Sequence, residues 1–406
     1  MARSRKNKGR NQKPKNTKKK GNKKNVFVPQ FHHNQQTRIG GRYSGVLEIN
    51  QKGYGFIRKL DFEFSFDPND PFLKPDEVKL QDLRSGLLLE GEFEEDQSGN
   101  RRVYSIEKIN GKEPEEWQKI NRFELQTPIM PVEQIKLGHH PEDYELRVID
   151  LVAPVGKGQR SIIVAPPRTG KTVILKKMAN SIAQNYPGMT TAVLLVDERP
   201  EEVTDFLRST NAEVFASSND KNTDSHVRIS EMALGYVKRK AECGEDAVLL
   251  VDSLTRLGRS YNAAQANSGR TLSGGLDIRA LEIPKKIFGS ARKIEGGGSL
   301  TIIATCLIET NSRMDDLIFE EFKGTGNMEI VLDREIANAR IYPAINIAAS
   351  GTRNEDKFIT DSLEERNMVR RFLLKKSPKE SMQMLLQVIK RTESNEQIFA
   401  QIAATI

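Results

Sequence analysis

Hydrophobic and polar positions along this chain fall into three successive textures. From Gly41 to about residue 110, apolar and polar residues alternate in short runs at 44–49, 54–58, 87–93 and 102–106, separated by Gly/Asp/Asn turns. A period of two is the mark of a half-buried strand, and about five strands in so short a stretch predict a small closed β-barrel. Residues 111–130 hold no sustained period and predict a linker with one short helix, on which Trp117, the single tryptophan, serves as a packing anchor between domains. From Pro131 onward near-continuous apolar runs (161–165, 191–196, 247–251, 300–307, 328–332) alternate with amphipathic helical stretches. That alternation predicts a mostly parallel α/β sheet buried on both faces. Beyond Lys357 the pattern turns helical, and Ser377-Pro378-Lys379-Glu380 supplies an N-cap, a first-turn proline and a capping-box glutamate. Ser394-Asn395-Glu396-Gln397 repeats that logic for the last helix.

Charge sharpens the domain division. Of 63 Lys/Arg, 14 lie in the first 47 residues, where there is no acid; the other 359 residues carry 49 basic and 55 acidic side chains, a net of −6. Residues 1–38 therefore read as a basic arm, disordered by composition, that either favours nucleic-acid phosphates or acts as a solvated tail. The remaining division is a barrel at 39–111, a linker at 112–135 and an α/β domain with C-terminal helices at 136–406. Two cysteines, Cys243 and Cys306, exclude a disulfide framework, and Cys306 lies in an apolar run that predicts core. No apolar stretch approaches the ~18 residues of a membrane span, so a cytoplasmic, soluble chain without a membrane partner is expected.

Candidate chemistry centres on residues 160–172, R-S-I-I-V-A-P-P-R-T-G-K-T. A buried strand breaking through a tight loop into a helix is the setting in which backbone N–H groups enclose a phosphate. Lys171 would reach the β/γ oxygens and the Thr172 hydroxyl would hold Mg²⁺. Ala165 stands at the position of the pattern's first glycine, so the loop is expected to enter with ordinary backbone angles set by Pro166 and Pro167. Asp252 ends a buried strand and would give Mg²⁺ a second carboxylate partner at the sheet's carboxyl edge. Glu198, in the run Asp197-Glu198-Arg199-Pro200-Glu201-Glu202, is a candidate general base, or else a capping partner for the next helix. Arg340 and Arg353, in late loops, either neutralise phosphoryl charge or are solvated surface.

On the barrel, alternation puts Tyr54 and Phe56 on one face, with small glycines between them and Lys52 and Arg58 adding charge. The G-Y-G-F-I-R hairpin resembles the cold-shock type of OB-fold, whose aromatics stack on single-stranded bases. The alternative is that both rings fill the barrel core. Asp70-Pro71-Phe72 and Tyr104 are further candidates for that surface. In the α/β domain, the long Gly/Ser-rich loop at 262–276 and the stretch 310–313 carry Arg270 and Arg313, which either touch nucleic acid or lie on an ordinary flexible surface.

Together these residues resemble the Rho family of bacterial transcription termination factors, hexameric RecA-type RNA helicases. The resemblance covers about residues 41–406. It rests on G-Y-G-F-I-R, V-A-P-P-R-T-G-K-T, V-D-E-R-P-E-E-V-T-D, D-S-L-T-R-L-G-R-S-Y-N, F-K-G-T-G-N-M-E and S-G-T-R. It implies a RecA-like P-loop ATPase core behind an OB-fold barrel, with ATP and Mg²⁺ as cofactors. It also implies that Lys171, Thr172 and Asp252 handle phosphates and metal and that Glu198 activates water. Arg353 would act as a finger from the adjacent subunit, supported by Arg340, and Tyr342 would stack on adenine. Gly156, Lys157, Gly158, Gln159, Arg160, Ser161, Arg168, Thr169, Gly170, Val173 and Arg199 would line the nucleotide site. Arg270, Thr271 and Arg313 would grip RNA in a central channel. Gly53, Tyr54, Gly55, Phe56, Ile57, Arg58, Asp70, Pro71, Phe72, Arg101, Arg102, Val103 and Tyr104 would form the barrel's RNA site. The implied partners are single-stranded RNA, RNA polymerase and copies of the chain in a ring. Two features depart from the family: the basic arm stands where a small helical subdomain is usual, and Val103 stands near a usual aromatic. The rival readings are another RecA-fold ATPase, of rotary type, and a non-translocating RNA chaperone.

Overall fold

A computed structural model describes residues 38–265, 275–277, 279–359 and 362–403. Residues 1–37 of the expected arm, and Arg270 and Thr271, lie outside the described residues, whereas Arg38 already opens the first strand.

The alternating stretch closes into a barrel of β1 (Arg38–Ile49), β2 (Gly55–Arg58), β3 (Phe72–Leu73), β4 (Leu88–Glu95) and β5 (Arg101–Ile109), in the order β1-β2-β3-β5-β4. A short helix, α1 (Pro75–Leu80), plugs one side through Val78. Leu47, Ile57, Leu73, Leu89, Phe93 and Val103 fill the interior. The period of two thus has its usual meaning, one face in and one face out.

Beyond the barrel, α2 (Pro114–Trp117) delivers Trp117, only 1% exposed, into a cluster holding barrel residues and Cys243. Its indole N–H donates to the Gln81 carbonyl at 3.1 Å, and the Arg84 guanidinium lies 4.4 Å from its ring centroid. Emptying that site creates a large cavity at the seam. Trp117→Ala should therefore cost about 3–5 kcal/mol, read as a lowered midpoint in urea or thermal unfolding.

The α/β domain follows through β6 (Pro128–Ile129), β7 (Gln134–Ile135), α3 (Tyr144–Val152), β8 (Val155–Gly156) and β9 (Arg160–Ala165). It continues with α4 (Lys171–Asn185), β10 (Met189–Glu198), α5 (Pro200–Ser209), β11 (Glu213–Ser218), α6 (Thr223–Glu242), β12 (Asp246–Asp252) and α7 (Leu254–Gln265). Next come α8 (Glu282–Gly289), β13 (Arg292–Ile294), β14 (Ser299–Leu307), α9 (Arg313–Lys323), β15 (Met328–Val331), α10 (Arg334–Asn338) and β16 (Gly351–Thr352). The chain closes with α11 (Leu363–Leu373), α12 (Pro378–Ile389) and α13 (Asn395–Ala403), α12 starting at the expected capping box. The sheet runs β11-β10-β12-β14-β9-β15-β16, parallel from β11 through β15 and antiparallel at β16. Its strands are buried on both faces, which is why they read as continuous apolar runs. Cys306 is fully buried, as expected of core. None of the described helices is long and apolar enough to cross a membrane.

The barrel docks on α6 and the edge strand β11. Phe64 stacks on Phe215 at 4.5 Å between centroids, and the Ala216 N–H donates to the Phe62 carbonyl at 2.7 Å. Gly86, at φ +93°, meets Gly235 so closely that an added Cβ would lie 2.1 Å from the Gly235 carbonyl carbon. Only glycine tolerates both the angle and the approach.

Candidate active site and nucleic-acid face

Parallel strands end on one edge, so β9, β10 and β12 deliver their last residues to the same place. Ala165 has no positive φ and Pro166 and Pro167 follow it, so the loop enters as expected; the unusual angles fall on Arg168, at +68°, and Gly170, at +95°. Gly170 is the residue from which α4 starts, and the Thr169 hydroxyl donates back to the Pro166 carbonyl at 2.7 Å. The left-handed turn at Gly170 launches α4, so Lys171 and Thr172 open the helix and Val173 is exposed on it.

Lys171 Nζ pairs with Asp252 Oδ1 and lies 3.6 Å from Glu198 Oε1. The Thr305 hydroxyl donates to Asp252 Oδ1 at 2.7 Å, fixing that carboxylate from β14. Both carboxylates are buried. Burial first, and the Asp252 charge second, push Glu198 up to about 8, against the opposing pull of Lys171 and Arg256. Arg256, one turn into α7, lies 3.0 Å from Glu198 Oε1 through Nε and donates through Nη1 to the Asp197 carbonyl. Asp252 Oδ2 is buried without a hydrogen-bond partner. With the Thr172 hydroxyl it is a hard oxygen donor set that suits Mg²⁺ accompanied by phosphate oxygens. Among the described residues no group of three or more His, Cys, Asp or Glu forms a metal site by itself.

Tyr342, 44% exposed, brings its ring beside Gly170: a Cβ built there would lie 3.8 Å from it, an ordinary contact. Arg199 caps α5 next to Glu198, exposed, with Glu202 3.7 Å away, and Arg340 is exposed two residues before Tyr342. Arg313 opens α9 at the same edge, and a Cβ built on Gly275 would lie 3.8 Å from the neighbouring Met314 Cε.

The 156–161 segment corrects an expectation. It sits at the start of β9, five residues or about 17 Å from the loop that ends the strand, so it does not line the Lys171 site of its own chain. There Gln159 Nε2 donates to the Asn327 carbonyl at 3.0 Å and the Arg353 N–H donates to the same oxygen at 2.9 Å. Arg353, exposed after β16, belongs to this opposite edge. Lys157 is occupied there by Asp246 at 2.8 Å and Glu133 at 2.6 Å, and Arg160 donates to the Thr325 carbonyl.

The barrel face needs a finer correction. Ile57 and Val103 point into the barrel interior, because residues of their parity face the core, and they cannot touch a strand outside. Gly55 lies against Leu47, Leu73 and Val78, and Pro71 is buried, its carbonyl accepting from Ile57 N–H. Tyr54 is half-buried with its ring 6.4 Å from Phe72, beyond the left-handed turn at Gly53. Phe56 and Phe72 are buried but outside the barrel's core cluster. Arg58, expected to add charge beside the aromatics, does lie 4.8 Å from the Phe56 centroid, but that charge is paired with Glu48 at 2.6 Å and Asp70 at 2.7 Å. Arg101 lies over Phe93 and Arg102 pairs with Glu77, while Tyr104 is 61% exposed. Arg228, on α6, binds the same Glu48 at 2.6 Å.

Sequence reasoning missed Arg256, Thr305, Arg228 and Glu48. Arg256 carried a signal, its place one turn after Asp252 in D-S-L-T-R. The others converge only through strand order and domain docking.

Two family models match the chain: the ATP synthase alpha/beta family nucleotide-binding domain over residues 145–352, and the Rho termination factor RNA-binding domain over 43–115. The chain is 45% identical to the transcription termination factor Rho of Cereibacter sphaeroides over 375 residues, covering 91% of this chain and 88% of that one. It is 45% identical to that of Chromobacterium violaceum, covering 87% and 86%. Among solved structures, a prototypical ATPase from the type III secretion system of pathogenic bacteria is similar in fold, with TM-score 0.56 and 21% identity over 68% of this chain and 86% of that one.

Proposed function

This chain belongs to the transcription termination factor Rho family, and from that membership we propose that it is an RNA-dependent ATPase that draws single-stranded RNA through a ring of its own copies. It is an RNA-binding termination factor with an ATP-hydrolysing domain. The finer reading adds that hydrolysis powers translocation and frees transcripts from RNA polymerase.

The observation that carries it is the convergence of Lys171, Glu198 and Asp252 at one sheet edge, with Arg353 at the other. In this reading Thr172 and Asp252 would hold Mg²⁺, which when bound with ATP supplies charge neutralisation for the phosphates. Lys171 leaves its carboxylates for the β/γ oxygens, Glu198 orients the attacking water, and Tyr342 flanks the base. An arginine on the far edge serves a neighbour's phosphates, which is how Arg353 would act in a ring.

The test is ATP turnover with and without a cytosine-rich RNA, beside a native mass measurement. Turnover that rises with RNA, in a particle of several chains, is the expected result. Turnover indifferent to RNA would give way to the chaperone or rotary-type reading.

A further inference from the structure

We propose that Phe66, a residue outside every motif considered so far, is an additional base-stacking position beside the barrel's RNA face; this deepens the RNA-binding reading and rests on it. Phe66 is 60% exposed, and the Arg58 guanidinium lies 4.9 Å from its ring centroid as well as 4.8 Å from that of Phe56. One cation therefore joins a buried ring to an open one. Glu48 and Asp70 hold that cation from below, so the platform is built before any ligand arrives.

The segment presenting Phe66 is tied down on both sides. Ser65 N–H donates to Asp61 Oδ1 at 2.9 Å, Asp67 N–H donates to Asp70 Oδ2 at 3.0 Å, and Phe64 is buried against Phe215. An exposed phenylalanine is by itself unremarked. Here it is held out on a fixed loop, over an arginine whose charge is already balanced by two carboxylates. Such a surface offers a π-face without a free cation, which suits a nucleobase rather than a phosphate.

Phe66→Ala in the full chain should weaken binding of a short oligocytidine RNA about tenfold, the size expected of one lost stacking partner. Phe66→Trp should restore affinity and report directly, because Trp117, the sole native tryptophan, is 1% exposed and remote from solvent quenchers. Quenching of the F66W emission on adding the RNA, beyond any change in the wild-type protein, is the expected result. Wild-type affinity in F66A, or an F66W emission indifferent to saturating RNA, overturns the assignment and leaves the RNA-binding reading intact. Absence of RNA binding by the wild-type chain overturns both.

Discussion

Lys171→Ala lowers ATP turnover by at least about a hundredfold while RNA affinity at the barrel stays near wild type, with turnover and oligonucleotide titration measured on the same preparation. Among the described residues, the Lys171 ammonium alone pairs directly with both the Asp252 and the Glu198 carboxylates. Removing it leaves Asp252 without its cation and takes away the charge proposed for the β/γ oxygens, with Arg256 still beside Glu198. The barrel is untouched, since its aromatics and arginines sit on separate elements. Full turnover in the variant would exclude the phosphate loop as the hydrolytic centre.

Glu198→Gln is expected to cost ~10²- to 10⁴-fold in turnover with nucleotide still bound, the range of a lost general base. The pH dependence follows from its environment. Burial and Asp252 hold Glu198 up to about 8, so below that pH it is protonated and cannot accept a proton from water. Wild-type kcat/KM should therefore climb between about pH 6 and 9, and the Gln variant should lose that limb. A variant that keeps the same rising limb would move the base role to another group.

What the sequence disclosed depended on whether a signal was local. Asp252 and Glu198 were legible because each ends a continuous apolar run, and parallel strands carry their ends to one edge. The capping box of α12 and the ordinary entry at Ala165 are contained in a few consecutive residues. By contrast the 156–161 segment, which the family resemblance put at the nucleotide, stands at the other end of β9 from the phosphate loop, a separation that only strand direction shows. Ile57 and Val103 stand among the contacts the family resemblance implies, although the period of two turns every second residue inward. Arg256 and Thr305 meet their carboxylates through the order β10-β12-β14, which no single stretch records. Arg58 is the subtlest case. Its charge was plain, but the carboxylates that consume it come from β1 and from the loop before β3.

Glu48 pairs with both Arg58 and Arg228, and α6, which presents Arg228 to the barrel, packs Ile229, Met232 and Ala233 into the core of the α/β domain. Barrel strand β1 thus offers one carboxylate to a barrel arginine and to an arginine of α6 across the seam between the two domains. In the translocase proposed above, tension on an RNA held at the barrel would reach α6 through this ion pair, and the barrel would act as a stiff handle instead of a tethered hook.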